Sequence, residues 1–235
     1  MINILVFSPH PDDAELCVGG TIIKHSDKYS IIIVDLSIGE CSANGNNTVR
    51  QKEIDRANAL LGINERICLD INDCEISSNS TEQLKKVIYT IRKYRPSIII
   101  SPYMLDNHPD HKETYKLIKS AFKKSSLNVY LDVGPVYRCK YIYYYSQDII
   151  SNNCNKLYID ITDIYDKKLL ALEQYKSQFK MNMASKVTYL NKYMIQKITS
   201  KDTYNGALIG CEYAEELLYD GLMVCDNIFD YELYY

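Results

Sequence analysis

Three of the four histidines lie in two short acidic motifs that could bind a metal ion. The motifs are His-Pro-Asp-Asp at residues 10–13 and His-Pro-Asp-His at residues 108–111. Each follows an apolar run with β-branched residues, at 2–7 and 97–101, so each is predicted to lie where a strand ends and a helix begins. Open α/β sheets place their sites at the carboxyl ends of strands. We therefore expect one shared site, with the isolated His25 at the surface.

The residue types in these motifs match the needs of a hydrolytic metal centre. A catalytic divalent metal ion takes three protein ligands and leaves one position open for water, and two histidines with one carboxylate form such a set. A second carboxylate can take a proton from metal-bound water, whose pKa falls to roughly 7 on zinc. Adjacent Asp12 and Asp13 allow this division of roles. The same ligand set also serves iron(II).

Each motif taken alone has a purely structural interpretation as the start of a helix. Asp12 with Glu15 matches a capping box. Pro109 suits a first helical turn, with His108 before it and Asp110 favoured there by the helix dipole. The occurrence of both motifs, each after a strand-like run, favours the metal site.

Length and composition indicate one α/β domain spanning residues 1–235, since chains of this size commonly stay single. A net charge of −3 and a pI near 5.8 give no basic surface for nucleic acid or an anionic membrane. The eight cysteines contain no C-x-x-C pair and are predicted to be reduced thiols of a cytoplasmic protein. Neither a leader sequence nor an apolar run long enough for membrane insertion is apparent.

The pattern along the chain predicts a Rossmann-like fold. Strands are expected at 3–7, 30–37, 66–70 and 97–101, alternating with helices, which implies a mostly parallel sheet flanked by helices. Capping boxes are predicted at Thr48 with Gln51 and at Ser80 with Gln83. Late strands, predicted to be antiparallel, are expected at 136–146 and 157–160, and later helices at 163–179 and 184–197.

The motifs resemble the PIG-L/LmbE-like family, which comprises metal-dependent enzymes that remove acetyl groups from N-acetylglucosaminyl compounds. The resemblance is carried by residues 4–16 with Gly-Gly-Thr at 19–21, Gly-Glu at 39–40, residues 50–57 and the motif at 108–111. Segments 171–179 and 210–217 resemble the family more weakly.

The resemblance implies a role for each residue of the two motifs. His10, Asp13 and His111 would bind Zn²⁺, with Fe²⁺ as the alternative metal. Asp12 would take a proton from zinc-bound water and return it to the leaving amine. His108 would help zinc to hold the developing oxyanion, and Asp110 would orient His108 or His111 and fix its tautomer.

Two further positions resemble substrate-binding residues of the family. Arg50 could form forked hydrogen bonds to sugar hydroxyls or a carboxylate, although a solvated arginine in a first helical turn fits the sequence almost as well. Glu40 would lie in a loop of the site, with an exposed loop acid as its alternative. Gly19 and Gly20 lack the G-x-G-x-x-G pattern of nucleotide binding and are predicted to permit close helix packing.

One position departs from the family pattern. Some members carry a tyrosine two positions before the His-Pro-Asp-His histidine as an extra oxyanion donor, whereas this chain has Asp106. A tyrosine from the second half of the chain, such as Tyr189, Tyr193 or Tyr204, could replace it, although a core or rim position is the commoner role for each.

The implied substrate is an N-acetylated amino sugar, and the sequence leaves its identity open. A glucosaminyl-malate precursor, a chito-oligosaccharide and a sugar on a natural product are all candidates. The alternatives to an N-deacetylase are an amidase that cleaves a larger acyl group or thiol conjugate from glucosamine, and a non-catalytic carbohydrate-binding homologue. The tyrosine-rich second half favours a homo-oligomer, because aromatic residues suit interfaces.

Overall fold

The computed structural model describes residues 3–42, 47–149, 154–179 and 189–222, and for residues 189–192 the backbone alone. The strands are β1 (Asn3–Ser8), β2 (Ser30–Asp35), β3 (Glu65–Cys68), β4 (Ile98–Pro102), β5 (Tyr141–Tyr145), β6 (Asn155–Asp160) and β7 (Ala214–Tyr219). They form a single sheet in the order β3-β2-β1-β4-β5-β7-β6. The first five strands are parallel, and β7 runs antiparallel to β5 and β6.

This sheet confirms the expected fold, a Rossmann-like α/β domain with antiparallel late strands. The four early strands lie where the β-branched runs predict them. The predicted strand at 136–146 is shorter than expected, because only Tyr141–Tyr145 pairs with β4. Strand β7 was not predicted, although it supplies the pairing between β5 and β6.

Helices cover both faces of the sheet. They are α1 (Asp13–His25), α2 (Asn47–Leu61), α3 (Thr81–Tyr94), α4 (Pro109–Lys124), α5 (Tyr165–Leu172), α6 (Lys176–Phe179) and α7 (Tyr189–Ile209), with 3₁₀ turns at Leu131–Val133 and Thr162–Ile164. Within the described residues, none of these helices combines the length and apolar character needed to cross a bilayer.

The predicted helix at 163–179 is interrupted between α5 and α6. The chain turns there, and the fully buried Tyr175 donates its hydroxyl hydrogen to Glu15 of α1. Such a long-range bond leaves no periodic signal in the sequence. The helix predicted at 184–197 corresponds to α7, which extends to Ile209; residues 184–188 lie outside the described part of the chain.

The predicted caps have different outcomes. Ser80 caps α3, because its Oγ accepts a hydrogen bond from the backbone N–H of Gln83. Thr48 lies inside the first turn of α2 rather than before it. The capping-box interpretation of Asp12 is wrong: Asp12 makes no side-chain cap bond, and Glu15 is buried against Arg66 and Tyr175 instead.

Alternate residues of β1 build the two halves of the core. Ile4 and Val6 pack with α1, α5 and α7 on one face. Leu5 and Phe7 pack with α3 and α4 on the other face. Because successive side chains of a strand point to opposite faces and both faces of this central strand are covered, β1 is apolar from Ile4 to Phe7 and polar only at its two ends. Its carboxyl end, which leads into the first motif, is therefore held rigidly.

Helix α1 is kinked at Val18, where φ is −138°. Past the kink, the carboxylate of Glu215 from β7 accepts the backbone N–H groups of Gly20 at 2.8 Å and Thr21 at 2.6 Å. Glu215 also pairs with the fully buried Lys168. These contacts satisfy donors that the kink frees and that would be costly to leave buried without partners. These contacts attach α1, and with it Asp13, to strand β7 in the antiparallel part of the sheet.

Gly20 allows the close approach that this arrangement requires. A Cβ atom added at Gly20 would lie 2.8 Å from Cδ1 and 3.0 Å from Cβ of the buried Ile161, whereas one added at Gly19 would lie 3.5 Å from its nearest neighbour, Lys168. Packing too close for a side chain, predicted for both glycines, is found at Gly20, whereas a Cβ atom at Gly19 would make ordinary van der Waals contact.

We expect Gly20→Ala to lower the free energy of unfolding by about 1–3 kcal/mol, because Ile161 is displaced. Gly19→Ala is the matched control, since it carries the same gain in helix propensity, up to about 1 kcal/mol, without the clash. Urea unfolding of both variants measures the difference. Equal stability of the two variants would contradict the packing argument.

Candidate metal centre

The two histidine motifs meet at the carboxyl ends of neighbouring strands. Strands β1 and β4 are adjacent, and their chain connections leave toward opposite sides of the sheet order, as at the ligand-binding crevice of open α/β folds. The ring centroids of His10 and His108 lie 5.2 Å apart, and those of His10 and His111 lie 5.9 Å apart. One site thus contains all three histidines of the motifs.

Three atoms at the centre of this site have the chemistry and spacing of metal ligands. Oδ2 of Asp13 lies 3.3 Å from Nδ1 of His10 and 3.2 Å from Nε2 of His111. The three atoms lie within 4.8 Å of one another. A His₂-carboxylate set of this kind suits a catalytic divalent ion. His10, Asp13 and His111, the residues predicted from the sequence, could therefore hold a metal ion.

The outer nitrogen of each imidazole contacts a carboxylate. Nε2 of His10 lies 3.0 Å from Oδ1 of Asp73 and 3.0 Å from Oδ2 of Asp110. Nδ1 of His111 lies 2.9 Å from Oδ2 of Asp106. Carboxylates accept hydrogen bonds, so these outer nitrogens donate to them. With a metal ion bound in place of the second proton of each ring, the inner nitrogens would present their lone pairs to it, as histidine ligands in metal sites usually do.

The expected target of Asp110 differs from the observed one. Its side chain contacts His10 rather than His108 or His111, and Oδ2 also accepts the backbone N–H of Cys74 at 3.1 Å. Asp106, noted in the sequence only as a departure from the family pattern, is the residue that orients His111. Asp73 was missed, because its loop follows β3 and only the folded sheet brings it to His10.

The electrostatics of the site favour a bound cation. Burial lowers the pKa of His10, but hydrogen bonds with Asp110, Asp13 and Asp73 outweigh it and raise the pKa to about 12. Burial also lowers the pKa of His111. The charge of Asp13 and the hydrogen bond to Asp106 outweigh this effect and raise the pKa to about 10. The negative charge of the surrounding carboxylates thus stabilises positive charge at the two imidazoles. A divalent metal ion supplies such charge, since it is the largest local charge in such sites.

His108 caps α4 and faces the cavity. Its Nδ1 accepts the backbone N–H of Asp110 at 3.2 Å. A backbone N–H can only donate, so Nδ1 is unprotonated and the neutral ring carries its proton on Nε2. Burial and the nearby His111 and His10 lower the pKa of His108, which keeps the ring neutral. His108 is therefore a fixed hydrogen-bond donor beside the metal ligands.

Asp12 occupies a conformation that residues other than glycine rarely adopt, with φ at 109°. Such strain is typical of functional positions. Its Oδ2 lies 3.2 Å from Nη1 of Arg50. Burial raises the pKa of Asp12 to about 7; the charge of Arg50 opposes this rise, and the charges of Asp13 and Glu15 add to it. A carboxylate with this pKa can both accept and release a proton near neutral pH.

The two predicted substrate-binding residues have different surroundings. Arg50 is buried, lies against the Tyr175 ring and lines the cavity, so the interpretation as a solvated arginine is wrong. Glu40 is exposed, and its carboxylate accepts hydrogen bonds from Ser37 Oγ at 3.0 Å and from the backbone N–H of Asp73 at 2.7 Å. It is not among the described residues that line the cavity, and its contact with substrate stays a prediction.

A cavity of about 520 Å³ opens above the metal ligands, a volume in the range of small-molecule sites. Its far wall includes Phe179 of α6 and Met194 and Lys197 of α7. No tyrosine is among the described cavity-lining residues. Tyr193 and Tyr204 are 39% and 50% exposed, and the side chain of Tyr189 lies outside the description. Gln147, not predicted from the sequence, donates to Oδ1 of Asp13 at 2.6 Å.

His25 has no part in this site. Its Nδ1 lies 2.7 Å from the carbonyl oxygen of Thr21, and its ring stacks on Tyr29 near the end of α1. The position at the carboxyl-terminal end of the helix is the predicted one.

Comparisons with known proteins agree with this geometry. The profile of the PIG-L family, described as GlcNAc-PI de-N-acetylase, matches residues 5–122. The chain is 29% identical to diacetylchitobiose deacetylase of Thermococcus kodakarensis over 75% of this chain and 70% of that protein. It is 28% identical to a probable N-acetyl-α-D-glucosaminyl L-malate deacetylase 2 of Bacillus anthracis over 81% of this chain and 85% of that protein.

Solved structures show the same fold. A conserved protein of Thermus thermophilus superimposes with a TM-score of 0.82 at 26% identity, covering 97% of this chain and 99% of that one. The N,N'-diacetylchitobiose deacetylase of Pyrococcus horikoshii superimposes with a TM-score of 0.77 at 27% identity, covering 92% and 82%. Since the family profile spans half of the chain and includes both histidine motifs, this chain belongs to the PIG-L/LmbE family.

Proposed function

We propose that this protein is a zinc-dependent N-deacetylase that hydrolyses the acetamido group of an N-acetylglucosaminyl small molecule or glycoconjugate. The observation that carries the proposal is the placement of Asp12 and His108 in the same cavity as the His10–Asp13–His111 ligand set. A base and a hydrogen-bond donor at these positions are the two groups that amide hydrolysis needs beside a metal. Family membership supports the same reaction.

The ligand geometry fits zinc, with iron(II) as the alternative. When bound, the metal lowers the pKa of a water molecule and polarises the amide carbonyl. The protein contributes the orientation of the ligands: Asp73 and Asp110 hold His10, Asp106 holds His111, and Gln147 holds Asp13. These bonds fix the orientation of the ligand side chains before any ion arrives, which reduces the reorganisation needed for binding.

Asp12 acts first as a base and then as an acid. It takes a proton from the attacking water, whose oxygen forms the new bond to the acetyl carbon. It then gives that proton to the amide nitrogen as the C–N bond breaks, so that acetate and the free amine leave. A pKa near 7 suits both steps. Arg50, 3.2 Å from the carboxylate, keeps it in place and favours its charged form.

His108 stabilises the negative charge that develops on the carbonyl oxygen. Its Nε2–H is the free donor, because Nδ1 is occupied by the backbone N–H of Asp110. One fixed donor of this kind contributes about 3 kcal/mol to the transition state. The neutral ring requires no proton transfer to do this.

The cavity favours a substrate that carries a sugar ring. Its volume of about 520 Å³ accommodates more than an acetamido group, and its lining combines the polar Arg50 and Asn107 with the apolar Phe179 and Met194. Polar side chains suit hydroxyl groups, and apolar ones suit the faces of a pyranose. The names of the relatives share an N-acetylglucosaminyl unit, and we assign this unit to the cavity.

The proposal is tested by measuring amine release from diacetylchitobiose, N-acetylglucosaminyl malate and N-acetylglucosamine. We expect the zinc-loaded protein to release amine from at least one of them, chelation to abolish the release, and added zinc to restore it. N-propionyl and N-butanoyl analogues are tested in parallel. Release from longer acyl groups alone would indicate an amidase. No release at full metal occupancy would indicate a carbohydrate-binding homologue.

Replacing the base gives a second prediction. We expect Asp12→Asn to lower kcat about 10²–10⁴-fold while bound zinc stays stoichiometric, because Asp12 is not a ligand. Asp148→Asn is the matched control, since Asp148 also lines the cavity but pairs with Lys197; its kcat should change little. Near-normal turnover by Asp12→Asn, or loss of its metal, would overturn the assignment.

The two roles of His108 can be separated by a third variant. Asparagine is a good N-cap residue, so His108→Asn retains an acceptor for the N–H of Asp110 but loses the Nε2–H donor. We expect its melting temperature to stay close to that of the wild type and its kcat to fall about 10²-fold. His108→Ala should lose stability as well, by about 1 kcal/mol. Unchanged kcat in His108→Asn would limit His108 to its capping role.

A further inference from the structure

Two cysteines and a carboxylate form a second cluster of metal-ligating groups beside the metal centre. Sγ of Cys41, Sγ of Cys74 and a carboxylate oxygen of Asp73 lie within 4.8 Å of one another. Sγ of Cys74 lies 3.7 Å from Oδ1 of Asp73. A tetrahedral zinc ion, at about 2.3 Å from each sulfur, holds its ligand atoms about 3.8 Å apart. The cluster already approaches this spacing.

The loops that carry the two thiols are joined to each other. The backbone N–H of Cys41 donates to Oδ2 of Asp73 at 3.0 Å, and the backbone N–H of Asp73 donates to Glu40 at 2.7 Å. The backbone N–H of Cys74 donates to Oδ2 of Asp110 at 3.1 Å. The loop after β2 and the loop after β3 are therefore fixed relative to each other. Such a scaffold is needed by a metal site, because ligand positions must not depend on flexible side chains alone.

The thiols are accessible from solvent and from the cavity. Cys41 and Cys74 are both exposed and both line the cavity, as does Asp73. Two of the five other described cysteines, Cys17 and Cys139, are instead buried in the core. Exposed pairs of thiols are open to oxidation, which is a disadvantage to the protein unless the thiols have a function.

We propose that Cys41, Cys74 and Asp73 form a second metal site, specific for a thiophilic divalent cation such as zinc. Thiolate ligands select zinc over magnesium, calcium and manganese, and coordinated thiols lose their protons to the metal. Because all three residues line the cavity, water or a group of a bound molecule would complete the coordination of the ion.

The second site shares a residue with the catalytic centre. Oδ1 of Asp73 is the atom 3.0 Å from Nε2 of His10. A cation held by the thiols draws electron density from this carboxylate and competes with His10 for it. Occupancy of the second site therefore weakens the orientation of His10, a proposed catalytic ligand. The site acts as an inhibitory sensor of excess zinc.

Cobalt(II) titration of the full-length protein, reduced with a phosphine, tests the second site. We expect the wild type to bind two equivalents and to develop the sulfur-to-cobalt charge-transfer absorption. Cys41→Ser and Cys74→Ser should each bind one equivalent and lack this absorption. Cys68→Ser is the matched control, because Cys68 is exposed and outside the cluster; it should behave as the wild type. Absence of the absorption in the wild type, or its persistence in both cluster variants, would overturn the proposal.

A variant of the catalytic centre separates the two sites. His111→Ala should lose one equivalent of cobalt and keep the charge-transfer absorption. If it keeps both equivalents, the catalytic ligand assignment fails while the thiol site stands. If it loses the absorption as well, the thiol site is not independent and the proposal fails.

The inhibitory role rests on the proposed deacetylase activity and has its own readout. With each protein normalised to its activity at one equivalent of zinc, a second equivalent should inhibit the wild type and leave Cys74→Ser unaffected. Equal inhibition of both proteins would remove the inhibitory role.

Discussion

The arrangement of the site depends on the burial of negative charge around two imidazoles. Asp13, Asp106 and Asp110 are all less than one tenth exposed and contact His10 or His111, as does the similarly buried Asp73. Buried carboxylates are tolerated only when they are paired. The raised pKa values of His10 and His111 express the same requirement. A metal ion satisfies it with two charges at one point, whereas protons on the two rings would occupy the lone pairs that the ligand geometry presents.

The parallel sheet makes this concentration of charge attainable. The carboxyl ends of β1, β2, β3 and β4 lie side by side, and the loops that follow them deliver Asp13, Glu40, Asp73 and Asp110 to one edge. Each loop alone carries only one to three acids. The rigid strands fix their relative positions, and Glu215 with Lys168 does the same for the kinked α1. The apolar packing of the sheet thus keeps the charged side chains of the site in their relative positions.

Local patterns in the sequence were sufficient for the early strands and the Ser80 cap, because each depends on neighbouring residues. They were insufficient for Asp73 and for the true partner of Asp110, since both depend on which loops lie next to one another in the fold. The break before α6 has the same origin: Tyr175 is placed by its bond to Glu15, 160 positions away. Asp106 carried a visible signal, two residues before a motif histidine, but only the folded loop shows that its carboxylate reaches His111.

The two motifs show that capping and catalytic interpretations of a residue need not compete. At His108 the two are compatible, because the bond that caps α4 through Nδ1 also places the proton of the neutral ring on Nε2. The helix start supplies the tautomer that an oxyanion donor requires. At Asp12 the capping interpretation fails: the backbone is strained at φ 109°, the side chain caps nothing, and its carboxylate lies against Arg50. Asp12 lacks a capping bond worth about 1 kcal/mol and also has a strained backbone, so the surrounding structure must stabilise this conformation. The conformation places its carboxylate at the cavity.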